Sequence, residues 1–202
     1  MNKKINILLY FLAAILVIGG IVFSVTGNFG GKENQEPNGQ LSVAQAASGV
    51  IGEKAPDFSL PDINGKMVKL SDLKGKNVIL FFNEGQMCYP ACWNQIEALG
   101  SDSRFDATNT VSYSIVVDTP SQWQDIENQM PQYKKARILF DTGRSVSSAY
   151  GVLSLASSMH PGIYPGHTYF VVDKNGVIRF FLDDPNMAIR NDQLANELNK
   201  LQ

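Results

Sequence analysis

Short apolar runs separated by helix-length segments constrain the fold of this chain more than any other feature. Residues 78–82 read V-I-L-F-F, as expected for a strand buried on both faces of a sheet. Further strand candidates lie at residues 111–117, 137–140, 168–172 and 177–182. Helix candidates alternate with them, at residues 92–99, 121–127, 145–150 and 192–201. This alternation predicts an α/β fold, a central mixed sheet with helices on both faces.

Turn signals support two hairpins. Asn64-Gly65 separates strand-like residues 57–60 and 66–70, and Asn175-Gly176 separates the last two strand candidates. Asn-Gly pairs favour the turns that close two-stranded hairpins. Gly100 is expected to end the first helix, and Ser121 is a candidate N-cap for the second.

The two cysteines of the chain lie directly after the first buried-strand candidate. Cys88 and Cys92 are four positions apart, and the sequence contains no others. A disulfide across three intervening residues removes little entropy from the unfolded chain, so a purely structural disulfide is the weaker interpretation. The spacing favours a chemical role, in which the sulfurs are oxidised and reduced or bind a soft metal.

The N-terminus predicts a membrane anchor. Lys3 and Lys4 precede a run with no charged residue from Ile5 to Gly31, longer than the about 20 apolar residues that a spanning helix needs. Residues 1–27 are therefore predicted to be a single-pass transmembrane helix with a cytoplasmic N-terminus. A cleaved signal peptide is the alternative. Either arrangement places the rest of the chain outside the cytoplasm, where disulfides persist.

The remaining chain divides into a linker and one domain. Residues 28–50 are rich in Gly, Asn, Gln and Ser and are predicted to be a flexible tether, while residues 51–202 are long enough for one domain with a core. The net charge is −2 with no basic block, so nucleic-acid binding is not expected.

Three motifs in the right order resemble the alkyl hydroperoxide reductase/thiol-specific antioxidant (AhpC/TSA, peroxiredoxin-like) superfamily. Residues 52–60 read G-E-K-A-P-D-F-S-L, similar to its G-x-x-A-P-D-F-x-L opening. Residues 64–76 and 170–176 match its D-G-K-x-V-x-L-S-D-L-K-G-K and F-x-I-D-x-x-G segments. The resemblance implies a thioredoxin-like redoxin fold and redox chemistry at the cysteines.

The peroxidase motif of that superfamily, P-x-x-x-T/S-x-x-C, is not reproduced. Counting back from Cys88 finds Gly85 at the hydroxyl position and Phe81 at the proline position. His167 stands where peroxidases usually carry an arginine and reductases a cis-proline. Peroxide reduction through a Cys88 sulfenate is therefore kept as the third candidate function.

A partial resemblance to Sco-type copper proteins fits these departures. That family combines a thioredoxin-like fold and an N-terminal anchor with a cysteine pair of this spacing and a histidine before a late strand, here Cys88, Cys92 and His167. Two thiolates and an imidazole suit copper. The loop before the pair, residues 83–87, lacks the G-Y-T-x-C form of that family.

We therefore expect an enzyme, a membrane-anchored, extracytoplasmic thiol–disulfide oxidoreductase acting on a protein partner without a cofactor. Cys88 is predicted to begin the first helix as the attacking thiolate, with Cys92 one turn deeper as the resolving thiol. A His167 imidazolium would stabilise the Cys88 thiolate. The alternative is a copper-binding assembly protein with Cys88, Cys92 and His167 as ligands. Glu84 is read either as a nearby proton acceptor or as a solvated loop carboxylate.

Overall fold

A computed structural model describes residues 49–107 and 109–201. The strands are β1 (Ser59–Pro61), β2 (Met67–Lys69), β3 (Asn77–Phe82), β4 (Asp106–Ala107), β5 (Thr110–Val116), β6 (Ile138–Phe140), β7 (Thr168–Val172) and β8 (Ile178–Asp183). The α-helices are α1 (Ala91–Ser101), α2 (Pro120–Gln129), α3 (Ser145–Ala149) and α4 (Asn191–Asn199). Short 3₁₀ turns join several of them, at Leu70–Leu73, Gly85–Cys88, Ser103–Phe105, Pro131–Lys135 and Val152–Ser154.

The main sheet is mixed, with β3 at its centre. β5 pairs with β3 in parallel and β7 pairs with it antiparallel, while β8 extends the sheet beyond β7. β6 pairs with β5 in parallel, and β4 pairs antiparallel with the start of β5. Both predicted hairpins are confirmed, β1 with β2 and β7 with β8.

The register of the central strands decides where the site forms. Phe82, at the end of β3, pairs with Ile115 near the end of β5 and with Thr168 at the start of β7. The chain therefore leaves β3 and β5 at the edge of the sheet where it enters β7. Residues just after Phe82 and just before Thr168 are brought together at this edge although they are far apart in sequence.

Alternating residues of β3 pack into two separate apolar clusters, one on each face of the sheet. Ile79 and Phe81 pack with residues of α1, α2 and α4. Val78, Leu80 and Phe82 pack with residues of β1, α3 and the following 3₁₀ turn. All five of these side chains are buried, which explains why the strand has no polar alternation. The predicted α/β sheet with helices on both faces is confirmed.

The predicted end of α1 was wrong for a steric reason. The helix continues through Gly100 to Ser101. A Cβ atom at residue 100 would lie 2.7 Å from the backbone of Ala136, so this glycine permits close packing of the helix rather than ending it. The predicted N-cap of α2, Ser121, was also wrong. Thr119 is the N-cap, and its N–H donates to Gln122 Oε1 at 2.8 Å.

The anchor predicted for residues 1–27 lies outside the described residues, as does the predicted linker except for residues 49 and 50. Among the described residues, none of the helices combines the length and the apolar character needed to cross a membrane.

Candidate redox site

Cys88 and Cys92 form a disulfide at the edge of the sheet described above. Their Cα atoms lie 5.3 Å apart. Both side chains are buried, with 2% of Cys88 and none of Cys92 exposed. Cys88 is flanked by the exposed Met87 and Tyr89, so Cys88 is the sulfur nearer the surface.

The 3₁₀ turn Gly85–Cys88 holds Cys88 in place through hydrogen bonds to three neighbouring elements. Asn83, directly after β3, accepts from the Gly85 N–H at 2.9 Å. Asp118, after β5, accepts from the Gln86 N–H at 2.9 Å. The indole N–H of Trp93, in α1, donates to the Gly85 carbonyl at 3.1 Å. The attachment of Cys88 therefore depends on β3, β5 and α1 together.

Asp118 is the least expected of these anchors. Its carboxylate also accepts from the indole N–H of Trp123 at 2.8 Å. Burial raises the pKa of Asp118 above its usual value, although both hydrogen bonds oppose the rise. The side chain fills the space beside Gly85, which adopts φ +58.

The helical placement of the cysteines was partly wrong. Cys88 ends the 3₁₀ turn, Pro90 is the N-cap, and α1 starts at Ala91, so Cys92 is the second helical residue. The pair does not share one helix face one turn apart. The positive end of the helix dipole therefore acts most directly on Cys92 rather than on Cys88.

His167 lies beside the pair, immediately before β7. Its Nδ1 is 3.5 Å from Cys92 Sγ, and its Nε2 is 2.8 Å from the Tyr169 hydroxyl. That hydroxyl donates to the Ala188 carbonyl at 3.4 Å, so it is available to accept the Nε2 proton. We assign the tautomer accordingly, with a proton on Nε2 and the Nδ1 lone pair facing Cys92.

Burial determines the charge of His167. The imidazole is fully buried and packs edge-on against Phe81. Desolvation lowers the pKa of His167 to about 4, outweighing the opposite effect of Asp184. The side chain is therefore neutral near pH 7, in contrast to the imidazolium expected from the sequence. A neutral imidazole can accept a proton from Cys92 or donate its lone pair to a metal.

A pH dependence of stability follows. The folded pKa of His167, about 4, is below the ordinary value, so the unfolded chain takes up the proton first as pH falls. This contribution to stability is complete above about pH 6.5 and is lost as pH falls toward 4. The loss of stability between pH 6.5 and 5 is about 2 kcal/mol. Denaturant unfolding across this range should show that loss in the wild type and a correspondingly flatter profile in His167→Gln. Equal slopes in the two proteins would rule out a buried neutral His167.

The structure brings all three predicted site residues together. One ligand atom from each of Cys88, Cys92 and His167 can be chosen so that all three lie within 4.8 Å of one another. Sequence reasoning identified them from the pair's spacing and from the position of the histidine before a late strand.

Two further neighbours were missed. Tyr169 orients His167, and the Met187 thioether sulfur lies 3.8 Å from Cys88 Sγ. Tyr169 is two residues from His167, and nothing in the sequence of its strand distinguishes it from a core aromatic. Met187 comes from the loop after β8, 99 positions from Cys88, and nothing in its local sequence connects it to the pair.

Glu84 serves neither purpose expected of it. The side chain is 1% exposed, and Oε1 accepts from the N–H groups of Met159 and His160 at 2.6 and 3.1 Å. Oε2 lies 2.8 Å from His160 Nδ1. Glu84 therefore ties the loop before β7 to the segment before Cys88.

The sequence of this chain is similar to those of known redox proteins. The sequence pattern of the AhpC/TSA family matches residues 51–181. The chain is similar to thiol-disulfide oxidoreductase ResA of Bacillus thuringiensis (strain Al Hakam), with 29% identity over 178 residues and coverage of 87% of each chain. It is also similar to peroxiredoxin Bcp of Escherichia coli (strain K12), with 27% identity over 153 residues, 73% of this chain and 94% of Bcp.

A plant relative is matched over a smaller share of its length. The chain is 29% identical over 135 residues to peroxiredoxin Q, chloroplastic, of Oryza sativa subsp. japonica, covering 66% of this chain and 58% of that protein. The chain thus spans less than two thirds of that relative.

Solved structures show the same fold. The crystal structure of peroxidoxin BcpB from Mycobacterium tuberculosis superimposes with a TM-score of 0.61 at 20% identity, covering 75% of this chain and 97% of BcpB. The fold of the described residues is therefore thioredoxin-like.

Proposed function

The chain belongs to the AhpC/TSA family, and we propose that it is a thiol–disulfide oxidoreductase whose Cys88 and Cys92 cycle between dithiol and disulfide. The observation that carries the proposal is the Cys88–Cys92 disulfide with the Nδ1 atom of His167 beside it. A structural cross-link would need no proton acceptor next to its sulfur.

We assign the attack to Cys88 because it is the outer sulfur. It lies between exposed residues, whereas Cys92 is completely buried. A partner's sulfur can reach Cys88 by displacing surface side chains, while Cys92 is accessible only to a sulfur already attached to Cys88. His167 lies next to Cys92, where a proton acceptor assists the resolving step.

The proposed reaction transfers two electrons to the partner. The Cys88 thiolate attacks one sulfur of a partner disulfide, which forms a mixed disulfide and releases the first partner thiolate. Cys92 then gives its proton to His167 Nδ1 and attacks Cys88 Sγ, which expels the second partner thiolate. His167 returns the proton to that leaving group. The partner disulfide is reduced and the protein's pair is oxidised; the reverse sequence oxidises a partner dithiol.

Accumulation of a mixed disulfide in Cys92→Ser tests this assignment. That adduct can form only through Cys88, so Cys88→Ser is the discriminating control, and it should give no adduct because Cys92 is buried. Reducing agent should release the partner from the Cys92→Ser adduct.

Copper binding by the reduced pair is the second candidate function, favoured by the clustering of three ligand atoms within 4.8 Å. Thiolate sulfur and imidazole nitrogen suit a soft, monovalent copper ion. The neutral state of His167 leaves Nδ1 available as a ligand. Cys88, Cys92 and His167 would hold the ion, which would be a cargo or cofactor of the reduced protein.

Peroxide reduction is the third candidate and has less support. Gly85 offers no hydroxyl at the position where the peroxidase motif carries Thr or Ser. In the reduced protein Cys88 would attack the peroxide oxygen, giving a sulfenic acid and releasing an alcohol or water, and Cys92 would then close the disulfide with loss of water.

The proposed location is extracytoplasmic, with residues 1–27 as a membrane anchor, residues 28–50 as a tether and a protein as the redox partner. The support is the uncharged run from Ile5 to Gly31 after two lysines. Protease added outside intact cells should digest residues 51–202 of the full-length chain. Protection of that domain in sealed cells, with digestion after lysis, would contradict this topology.

A further inference from the structure

The loop after β8 is fixed to the helix that carries Cys92. The Asp184 carboxylate is almost fully buried and accepts from the N–H groups of Asn186 and Ala188 at 3.2 and 3.0 Å. The Arg190 guanidinium donates to both of its oxygens at 2.7 Å. The Arg190 N–H in turn donates to the Oε1 of Gln95, a buried residue of α1, at 2.7 Å.

This loop holds Met187 in a costly conformation. Met187 has φ +49, in the left-handed region that side chains other than glycine rarely adopt. Such a conformation costs about 1 kcal/mol and persists only where surrounding contacts impose it. Here the Asp184 hydrogen bonds on either side of Met187 impose it, and the result is that the thioether sulfur lies 3.8 Å from Cys88 Sγ.

Two distances in the site agree with the spacing of ligands around one tetrahedral ion. Two sulfur ligands bonded at about 2.3 Å lie about 3.8 Å apart, and a sulfur and a nitrogen ligand lie about 3.5 Å apart. Met187 Sδ and Cys88 Sγ are separated by 3.8 Å, and Cys92 Sγ and His167 Nδ1 by 3.5 Å. Reduction of the disulfide frees the two cysteine sulfurs to separate to the first of these spacings.

We infer that Met187 Sδ is the fourth ligand of a Cu(I) site completed by Cys88, Cys92 and His167 in the reduced protein. This inference rests on the copper-binding candidate function and specifies its metal and coordination. Three sulfurs and one nitrogen form a soft donor set, and a thioether favours Cu(I) over harder divalent ions. A dithiol reductant supplies the two electrons that open the disulfide, and binding of Cu(I) releases the two thiol protons.

The test is a Cu(I) titration of the dithiothreitol-reduced protein under anaerobic conditions, in competition with a chromogenic Cu(I) chelator. The wild type should bind one Cu(I), and X-ray absorption should show three sulfur ligands and one nitrogen ligand. Met187→Leu, which keeps the side-chain volume, should weaken binding about tenfold or more and lose one sulfur ligand. Met87→Leu is the matched control, since Met87 is 52% exposed and adjacent to Cys88, and it should bind like the wild type.

The possible outcomes separate this inference from the functions proposed above. If Met187→Leu binds Cu(I) as tightly as wild type with the same sulfur count, Met187 is not a ligand, while the three-residue copper site stands. If the reduced wild type binds no Cu(I), both copper proposals fail and thiol–disulfide exchange is unaffected. Circular dichroism of Met187→Leu should match that of the wild type. The wild-type sulfur count decides independently of the variant's folding, since two sulfur ligands instead of three in the Cu(I)-loaded wild type would overturn the inference.

Discussion

Replacing Cys88 with serine should lower the rate of thiol–disulfide exchange by at least about a thousandfold, because it removes the attacking sulfur and a hydroxyl cannot form the mixed disulfide. Cys92→Ser should retain the first bond-forming step but complete no turnover. The measurement is the stopped-flow rate of reaction of each reduced variant with a disulfide substrate, followed by mass spectrometry of the adduct.

The reversed assignment is a genuine competitor. Cys92 occupies the first turn of α1 and lies next to His167, and both positions favour loss of its thiol proton. Accessibility favours Cys88, since no part of Cys92 is exposed. Rapid adduct formation in Cys88→Ser, with none in Cys92→Ser, would show that the buried sulfur attacks first.

Gly85→Ala should destabilise the protein by about 3 kcal/mol or more, from the sum of a steric clash and a left-handed backbone. A Cβ atom at residue 85 would lie 1.9 Å from Asp118 Oδ2, and φ is +58. Asp118 cannot move away without giving up its hydrogen bonds from Trp123 and Gln86. Exchange should also slow, because the same turn carries Cys88. Urea unfolding and the exchange rate measure the two effects.

Gly151→Ala separates the clash from the backbone cost. Gly151 has a similar φ, +68, but a Cβ atom there would meet nothing within 4 Å. Its substitution should cost about 1 kcal/mol and leave exchange unchanged. Equal losses of stability at residues 85 and 151 would mean that contact with Asp118 contributes nothing.

The environment of Gly85 also bears on peroxide chemistry. This residue stands where the peroxidase motif has threonine or serine, and Asp118 fills the space that such a side chain would need. Introducing Thr at residue 85 therefore cannot simply restore a peroxidase hydroxyl beside Cys88.

The fold and the three central site residues were predictable because they depend on local signals. Continuous apolar runs marked β3 and β7, and turn residues marked both hairpins. The position of His167 before β7 was informative because antiparallel pairing brings the start of that strand to the end of β3.

Other features depend on tertiary structure that no local pattern encodes. The pKa of His167 is lowered mainly by burial, which is a property of the packed site rather than of its sequence neighbours. Glu84 found His160 as its partner 76 residues away, and Met187 reaches Cys88 only because Asp184 and Arg190 fold their loop back toward α1. Helix α1 begins three residues after Cys88, at Ala91, so Cys92 rather than Cys88 lies in its first turn.

The most direct test of the central claim is the capture of a mixed disulfide by full-length Cys92→Ser in its own cells. The cells are quenched with acid, remaining thiols are alkylated, and the adducts are separated without reductant. The account predicts a protein partner linked through Cys88, released by dithiothreitol and not captured by Cys88→Ser. Two results together would show that the Cys88–Cys92 bond is structural: no adduct forms in Cys92→Ser, and dithiothreitol does not reduce the wild-type disulfide while the protein is folded.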